Sequence, residues 1–480
     1  SATNLFGMRL VILGGGGFRV PLVYRALAAR SSLGIDEVVL FDVDGARSKV
    51  IAAVLQPKPG IRIHLTDSLP EALTGADVVF SAIRVGGAAG RVRDERRALE
   101  AGVLGQETVG AGGLSFGLRT LPVVLRAAEL QAELAPKSWL INFTNPAGMI
   151  TQALSTVLGH RVVGICDSPV GLIRRAVRAL GVAPSGIEYD YAGLNHLGWL
   201  TGLRQNGADL LGRLLADDSL LQRMEEGRLF DPQLLRSLRA IPNEYLHFYY
   251  SARELTASLS RARTRGEVVL AEQEDFYRAA GQAMTAAGQA LTAAGQAMTA
   301  AEQTLTAAGQ AMTAAGQAPA VAEMLWEQTR AHREQTYLAE ARLDERDTAD
   351  LSGGGYEQVA LDVAEALTTG VAKELIVNAR NGSAYPQLPA ELVLETRCVV
   401  DATGARPLPG PALHLHQLGL MASVRAAEQS VIDAVRTRDR AAAVHGFAIH
   451  PLIGSRRIAA RLVESTQAQE PSVAALFSPR

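Results

Sequence analysis

The run Arg9-Leu10-Val11-Ile12-Leu13-Gly14-Gly15-Gly16-Gly17-Phe18-Arg19 decides the fold. Residues 9–13 read as a strand, and four glycines follow at once. Residues 21–29 then read as a helix. Glycines let a backbone approach a pyrophosphate, and a helix N-terminus favours its negative charge. Gly14 and Gly16 fit the G-x-G-x-x-G spacing, while Arg19 stands at the third glycine place. Residues 37–41 form a second strand ending at Asp42. A carboxylate there accepts hydrogen bonds from ribose hydroxyls and repels a 2′-phosphate, which favours NAD over NADP. The other reading is a tight strand–helix turn with an exposed Asp. Gly14, Gly15, Gly16, Phe18, Arg19 and Asp42 are the candidate cofactor-binding residues.

Working outward, residues 76–83, 139–143 and 162–165 are further apolar strands separated by helical patterns. That alternation is the signature of a buried parallel sheet with helices on both faces. The pattern predicts an α/β fold in two parts. Residues 1–185 would form a Rossmann-type, doubly wound parallel sheet. Residues 186–480 would form a mostly helical α+β catalytic domain. Helical periodicity covers 267–280, 321–341, 356–368 and 418–437, and 378–410 reads as a turn-rich stretch with several prolines.

A seven-residue unit repeats about six times over 279–320, as in AAGQAMT-AAGQALT-AAGQAMT. Its larger apolar residues, Met284, Leu291, Met298, Leu305 and Met312, recur once per heptad. A coiled-coil seam wants two, and each glycine costs roughly 1 kcal/mol relative to alanine. The repeat therefore reads as a weakly helical or mobile insert in a helix–loop connection. An oligomerisation helix is the alternative.

Composition narrows the function classes. The 480 residues carry 47 Lys plus Arg and 49 Asp plus Glu, a formal charge of −2. That balance gives no electrostatic reason to expect nucleic acid or an anionic membrane as partner. No apolar run approaches the roughly 20 residues needed to span a bilayer. Residues 1–7 read as a leader or an added segment. Cys166 and Cys398 are the two cysteines, too few for a disulfide framework, and a cytoplasmic location is the natural expectation.

Cys166-Asp167 follows the 162–165 strand, on the edge of an open α/β sheet where ligands bind. A buried, inert cysteine is the plain alternative. His196, in Gly193-Leu194-Asn195-His196-Leu197, reads as a packed histidine or a metal ligand. Cys plus His leaves open positions that water or substrate must fill. Tyr245 lies in a tyrosine cluster that packing alone would explain, yet a nearby cation can make a tyrosine a base. Arg91, Arg93, Asp94, Glu95, Arg96 and Arg97 read as a solvated helix face or, through arginine, as a phosphate grip. Gln106-Glu107-Thr108, next to Gly110, Gly112 and Gly113, is compatible with a cleft loop.

Taken together, LVILGGGGFRVP, LFDVD, VGGAAGRVRDE, GVLGQETVGAGG, WLINFTNPAG, VGICDSPVGL, GLNHLGWL, IPNEYLHFYY and PLPGPALHLHQLGLM resemble glycoside hydrolase family four, the NAD- and divalent-metal-dependent glycosidases. The motifs run in order from residue 10 to residue 421, interrupted by the repeat. The resemblance implies a lactate/malate dehydrogenase-like fold, NAD and Mn²⁺ as cofactors, and a homodimer or homotetramer. It makes Cys166 and His196 metal ligands and Tyr245 the base. Asn145 and Asn195 would contact the sugar, Arg91 a 6-phosphate, and Asp167 would protonate the leaving group in an α-type reaction. The implied path is C3 oxidation by NAD⁺, C2 deprotonation, elimination of the aglycone, water addition and hydride return. Among the branches, a 6-phospho-β-glucosidase is the expected activity, with a 6-phospho-α-glucosidase as alternative. A 2-hydroxy-acid dehydrogenase and an NAD-sensing protein are the readings outside this class.

Overall fold

The computed structural model describes residues 7–298, 305–337 and 355–478, and side chains outside 290–316. Residues 1–6 of the expected leader and the last four residues of the expected 321–341 helix lie outside the described residues.

Six parallel strands carry the first half: β1 (Met8–Leu13), β2 (Ile35–Phe41), β3 (Arg62–Thr66), β4 (Val78–Ser81), β5 (Trp139–Asn142) and β6 (Val162–Gly164). They lie in the order 3-2-1-4-5-6, the Rossmann order. Successive side chains of a strand point to opposite faces, and β1 shows how both faces become cores. Leu10 and Ile12 pack with Val23 and Leu27 of the Val20–Ala29 helix. Val11 and Leu13 pack with Leu114, Leu118 and Leu121 of the Gly110–Leu134 helix.

The remaining strands are β7 (Ile187–Leu194), β8 (Leu197–Gln205), β9 (Ala208–Asp209), β10 (Ile241–Pro242), β11 (Lys373–Arg380), β12 (Val393–Asp401) and β13 (Gly404–Pro407). Each pairs antiparallel. β11 also joins β6 at Asn378 and Gly164, so one sheet runs through both halves. The expected division at 185/186 falls between the Ser168–Leu180 helix and β7.

Two expectations need correction. The 378–410 stretch holds the end of β11 and all of β12 and β13. Its turn residues sit between β11 and β12, where Asn381 ties the loop to Tyr385 and Leu388. The 87–100 charge run is no solvated face. It lies in the Gly87–Glu100 helix, with Arg91, Asp94, Glu95 and Arg97 buried. Asp94 accepts from Arg119 at 2.7 Å and from Arg97 at 3.1 Å, so the buried charges compensate one another. The repeat is helical wherever it is described, in Arg265–Met298 and Leu305–Gln335. Each glycine-containing unit carries three or more alanines, which offset the glycine penalty.

Those two helices run antiparallel. His332 meets Glu272 at 2.7 Å, and Arg265 meets Thr336 at 2.9 Å, joining the start of one to the end of the other. Their inner ends are anchored by Phe276, Ala280, Ala322 and Trp326, which share a core with Phe18 and the first strands. Among the described residues no helix is long and apolar enough to cross a membrane.

Candidate active site

A cavity of about 1000 Å³ follows the carboxyl edge of the parallel strands. Gly14, Gly16, Phe18, Arg19 and Asp42 line it, and so do Arg91, Asn145, Cys166, Asp167, Asn195, His196 and Tyr245. Gly15 does not. It faces β2, where a Cβ would come within 2.6 Å of the Leu40 Cβ.

The glycine loop is tied to β2 at every turn. Gly14 and Gly15 donate to the Phe41 carbonyl at 2.9 and 2.7 Å. Gly14 has φ +86°, and a Cβ there would lie 2.7 Å from the Ala82 carbonyl oxygen. Asp42 Oδ2 accepts from the Gly16 N–H at 2.9 Å, and Oδ1 from the Asp44 N–H at 3.0 Å. The acid therefore stands at the loop's open side. The long helix pair closes the other side. Tyr277 donates to the Gly16 carbonyl at 2.6 Å, and the Trp326 indole to the Phe18 carbonyl at 2.7 Å. The Phe18 ring is a packing element, edge-on to Phe276 with centroids 5.3 Å apart.

Cys166 leaves β6 through Ile165 and is buried. Burial, then the charges of Glu395 and Asp167, pushes its thiol well above the usual range. His196 occupies the two-residue turn between β7 and β8 at φ +60°, a region non-glycine residues seldom adopt. Such strain tends to collect at functional sites. Burial lowers its pKa to about 4 against the opposing pull of Asp167 and Glu107, so the ring is neutral. Its Nδ1 lies 2.7 Å from the Thr108 hydroxyl.

The Tyr245 ring, in the Glu244–Leu246 turn of 3₁₀ helix, stacks on His196 with centroids 3.6 Å apart and planes 4° from parallel. Its hydroxyl meets that of Tyr337 at 2.7 Å. Burial, and next the Glu244 charge, pushes the Tyr245 phenol up, while the Tyr337 hydrogen bond acts the other way.

Behind the turn, Asn195 donates to Glu395 at 3.3 Å, and Asn378 and Tyr191 donate to the same carboxylate. Burial raises Glu395 to about 7 despite these donors. Asn145 Oδ1 accepts from the Ala147 N–H at 3.3 Å. Arg91 is held by Glu95 at 2.6 Å and Glu107 at 2.5 Å. Glu107 is shared with Arg84. Burial would raise that acid, but the two guanidinium groups outweigh it and hold it at about 2.

Thr108 lies in the expected cleft loop Gln106-Glu107-Thr108, whereas Tyr337, Glu395, Arg265 and Arg333 escape a reading of motifs.

Residues 9–182 match the family 4 glycosyl hydrolases, and residues 191–453 match the family 4 glycosyl hydrolase C-terminal domain. The chain belongs to glycosyl hydrolase family 4. A family 4 relative from Bacillus subtilis (strain 168), named "Probable 6-phospho-beta-glucosidase", is 28% identical over 477 residues and covers 95% of each chain. The 6-phospho-alpha-glucosidase 1 of Lacticaseibacillus paracasei is 30% identical over 293 residues, covering 55% of this chain and 65% of its own. The 6-phospho-beta glucosidase of Thermotoga maritima, solved with manganese, NAD⁺ and glucose-6-phosphate, shares the fold with a TM-score of 0.76. It has 23% identity and covers 97% of this chain and 99% of its own.

Candidate metal donors in the cavity are sparse. Among the described residues no group of three or more His, Cys, Asp and Glu side chains could hold an ion. A thiolate from Cys166 and an imidazole from His196 would leave the other positions to water and substrate oxygens. A dinucleotide fits the loop, since Gly14 and Gly16 line the cavity and Asp42 stands at the loop's open side, where a ribose would lie.

Proposed function

We propose that this family 4 protein hydrolyses 6-phospho-glucosides, preferentially the β anomers, with NAD and a divalent metal such as Mn²⁺. The observation that carries the reading is the convergence of the glycine loop, Cys166, His196 and Tyr245 on one cavity. The full-length match to a relative named for the β activity supports the anomer.

When bound, NAD supplies a hydride acceptor and donor, and the metal a Lewis acid at the sugar oxygen. The chain's own groups do the rest. Cys166 and His196 hold the metal, and Gly14, Gly16, Arg19 and Asp42 hold the cofactor. Tyr245, its ring fixed by the His196 stack, takes the proton from C2. A cation beside the Tyr245 phenol would favour its ionised form, as the Tyr337 hydrogen bond does. Asn145 and Asn195 orient the sugar, and Arg91 faces the 6-phosphate. A homodimer or homotetramer in the cytoplasm belongs to the same proposal.

A second reading rests on Asp167. Its carboxyl is adjacent to Cys166 on the cavity wall, where it could protonate a leaving oxygen in an α-glucoside.

The test is nitrophenol release from α- and β-glucoside 6-phosphates and their unphosphorylated forms, with NAD⁺, Mn²⁺ and a thiol reductant, and then with each omitted. The expected result is cleavage of the β-glucoside 6-phosphate that needs NAD⁺ and metal, without NADH accumulating. Net NADH production on a 2-hydroxy acid would move the protein to the dehydrogenases. Cleavage confined to the α-glucoside 6-phosphate would make Asp167 the acid.

A further inference from the structure

Arg333 lies near the end of the Leu305–Gln335 helix and lines the cavity. Its guanidinium carbon sits 4.6 Å from the centroid of the Phe18 ring, immediately beside the glycine loop. Its Nη1 is buried and has no hydrogen-bond partner. The surroundings make that position costly. Arg265 donates to the Arg333 carbonyl at 3.1 Å, which brings a second guanidinium alongside. Burial, then repulsion from Arg19, Arg265 and Arg84, pushes the Arg333 pKa down to about 9. Of the nearby acids, Glu107 pairs with Arg84 and Arg91, and Glu272 meets His332 through Oε1, while its Oε2 has no hydrogen-bond partner and its charge only partly offsets the repulsion at Arg333.

Arg333 as a whole is half-buried, but its Nη1 is shut off from water, and a desolvated cationic N–H among like charges is a liability unless an anion joins it. The planar fork of arginine matches the oxygens of a phosphoryl group, and such charge-assisted pairs are strong.

We propose that Arg333 receives a phosphoryl oxyanion in this cavity, carried by the sugar's 6-phosphate or by the NAD pyrophosphate. The two sources present the same chemistry to the guanidinium. This rests on the function proposed above and adds to that site a residue from the helix that carries the repeat.

The test uses the full chain with Arg333→Met and Arg333→Lys. NAD affinity is measured alone, and glucose 6-phosphate affinity at saturating NAD⁺ and Mn²⁺. Arg333→Met is expected to weaken one of the two by about tenfold or more, and Arg333→Lys to recover most of that loss. A loss confined to glucose 6-phosphate assigns the sugar phosphate. A loss confined to NAD assigns the pyrophosphate. Unchanged affinity for both overturns the proposal, and so does an equal loss of both, the mark of a displaced helix. Should Arg333→Met fail to fold, Arg333→Gln is read against the same outcomes. A wild-type protein that binds neither ligand refutes the proposed function instead.

Discussion

The Thr108 hydroxyl lies 2.7 Å from Nδ1 of His196 and 3.2 Å from Gln106 Oε1. Gln106 Oε1 accepts only, so the hydroxyl proton goes there, and the Thr108 oxygen accepts from Nδ1–H. That fixes the tautomer and leaves the lone pair of His196 on Nε2, the form a metal requires. Thr108→Val keeps the shape and removes the hydroxyl. Mn²⁺ affinity is expected to fall by about 10- to 100-fold, with NAD affinity unchanged. Calorimetric titration of both ligands checks this. Full metal affinity in the variant removes Thr108 from any role in orienting His196.

Tyr245→Phe keeps the ring that stacks 3.6 Å from His196 and deletes the proposed base. NAD affinity should stay put while turnover of the 6-phospho-glucoside falls by about 10²- to 10⁴-fold. Loss of deuterium from C2 of the sugar should slow in parallel. Normal turnover in the variant would leave the tyrosine as packing.

How much of this was legible depended on where each signal lay along the chain. The first strand, the glycines and Asp42 lie within 34 residues, and each has a local pattern. Cys166 was placed by the strand before it. His196 and Tyr245 reached the site through motif resemblance, because no local rule distinguishes them from packed aromatic residues. β3 escaped because it is an edge strand in which Arg62 is exposed and the other residues, His64 among them, are only partly buried, so no apolar run marks it. β12 escaped because the glycines and prolines of its flanking loops dominated the reading. Arg333 and Tyr337 are ordinary helical positions in sequence. They meet the cavity only because the long helix pair folds back across the glycine loop, a contact between residues some 300 positions apart.

His450 supplies a pH dependence of stability. It is buried, and its Nδ1 accepts from the Leu452 N–H at 3.1 Å. Burial pushes its pKa down to about 3. The unfolded chain takes up this proton near pH ~6.5 and the folded chain does not, so stability is full above ~6.5 and drains away as pH falls toward about 3. His450→Gln can still accept the Leu452 hydrogen bond and cannot titrate. Between about pH 7 and about pH 5, wild type should lose about 2 kcal/mol more unfolding free energy than the variant. Urea unfolding at both pH values checks it, and identical losses would mean that His450 charges without penalty.

The helix pair gives the last prediction. Tyr277 and Trp326 stand just outside the repeat and hold the carbonyls of Gly16 and Phe18 at 2.6 and 2.7 Å. Fixing two carbonyls fixes the peptide planes of the loop and so the direction of its N–H groups, on which a pyrophosphate depends. The inner turns of the pair thus bear on the cofactor site, and the outer heptads are expected to be dispensable for it. Tyr277→Phe and Trp326→Phe each remove one hydrogen bond and should weaken NAD binding by about fivefold, the worth of one such bond. Replacing residues 286–313, four whole units, by a short glycine-rich turn leaves both anchors opposite each other. That variant should bind NAD as wild type does. Fluorescence titration of NAD separates the two cases. Weak binding after the internal deletion, in a chain that still melts cooperatively, would mean that the outer heptads act on the loop and not only its two anchors.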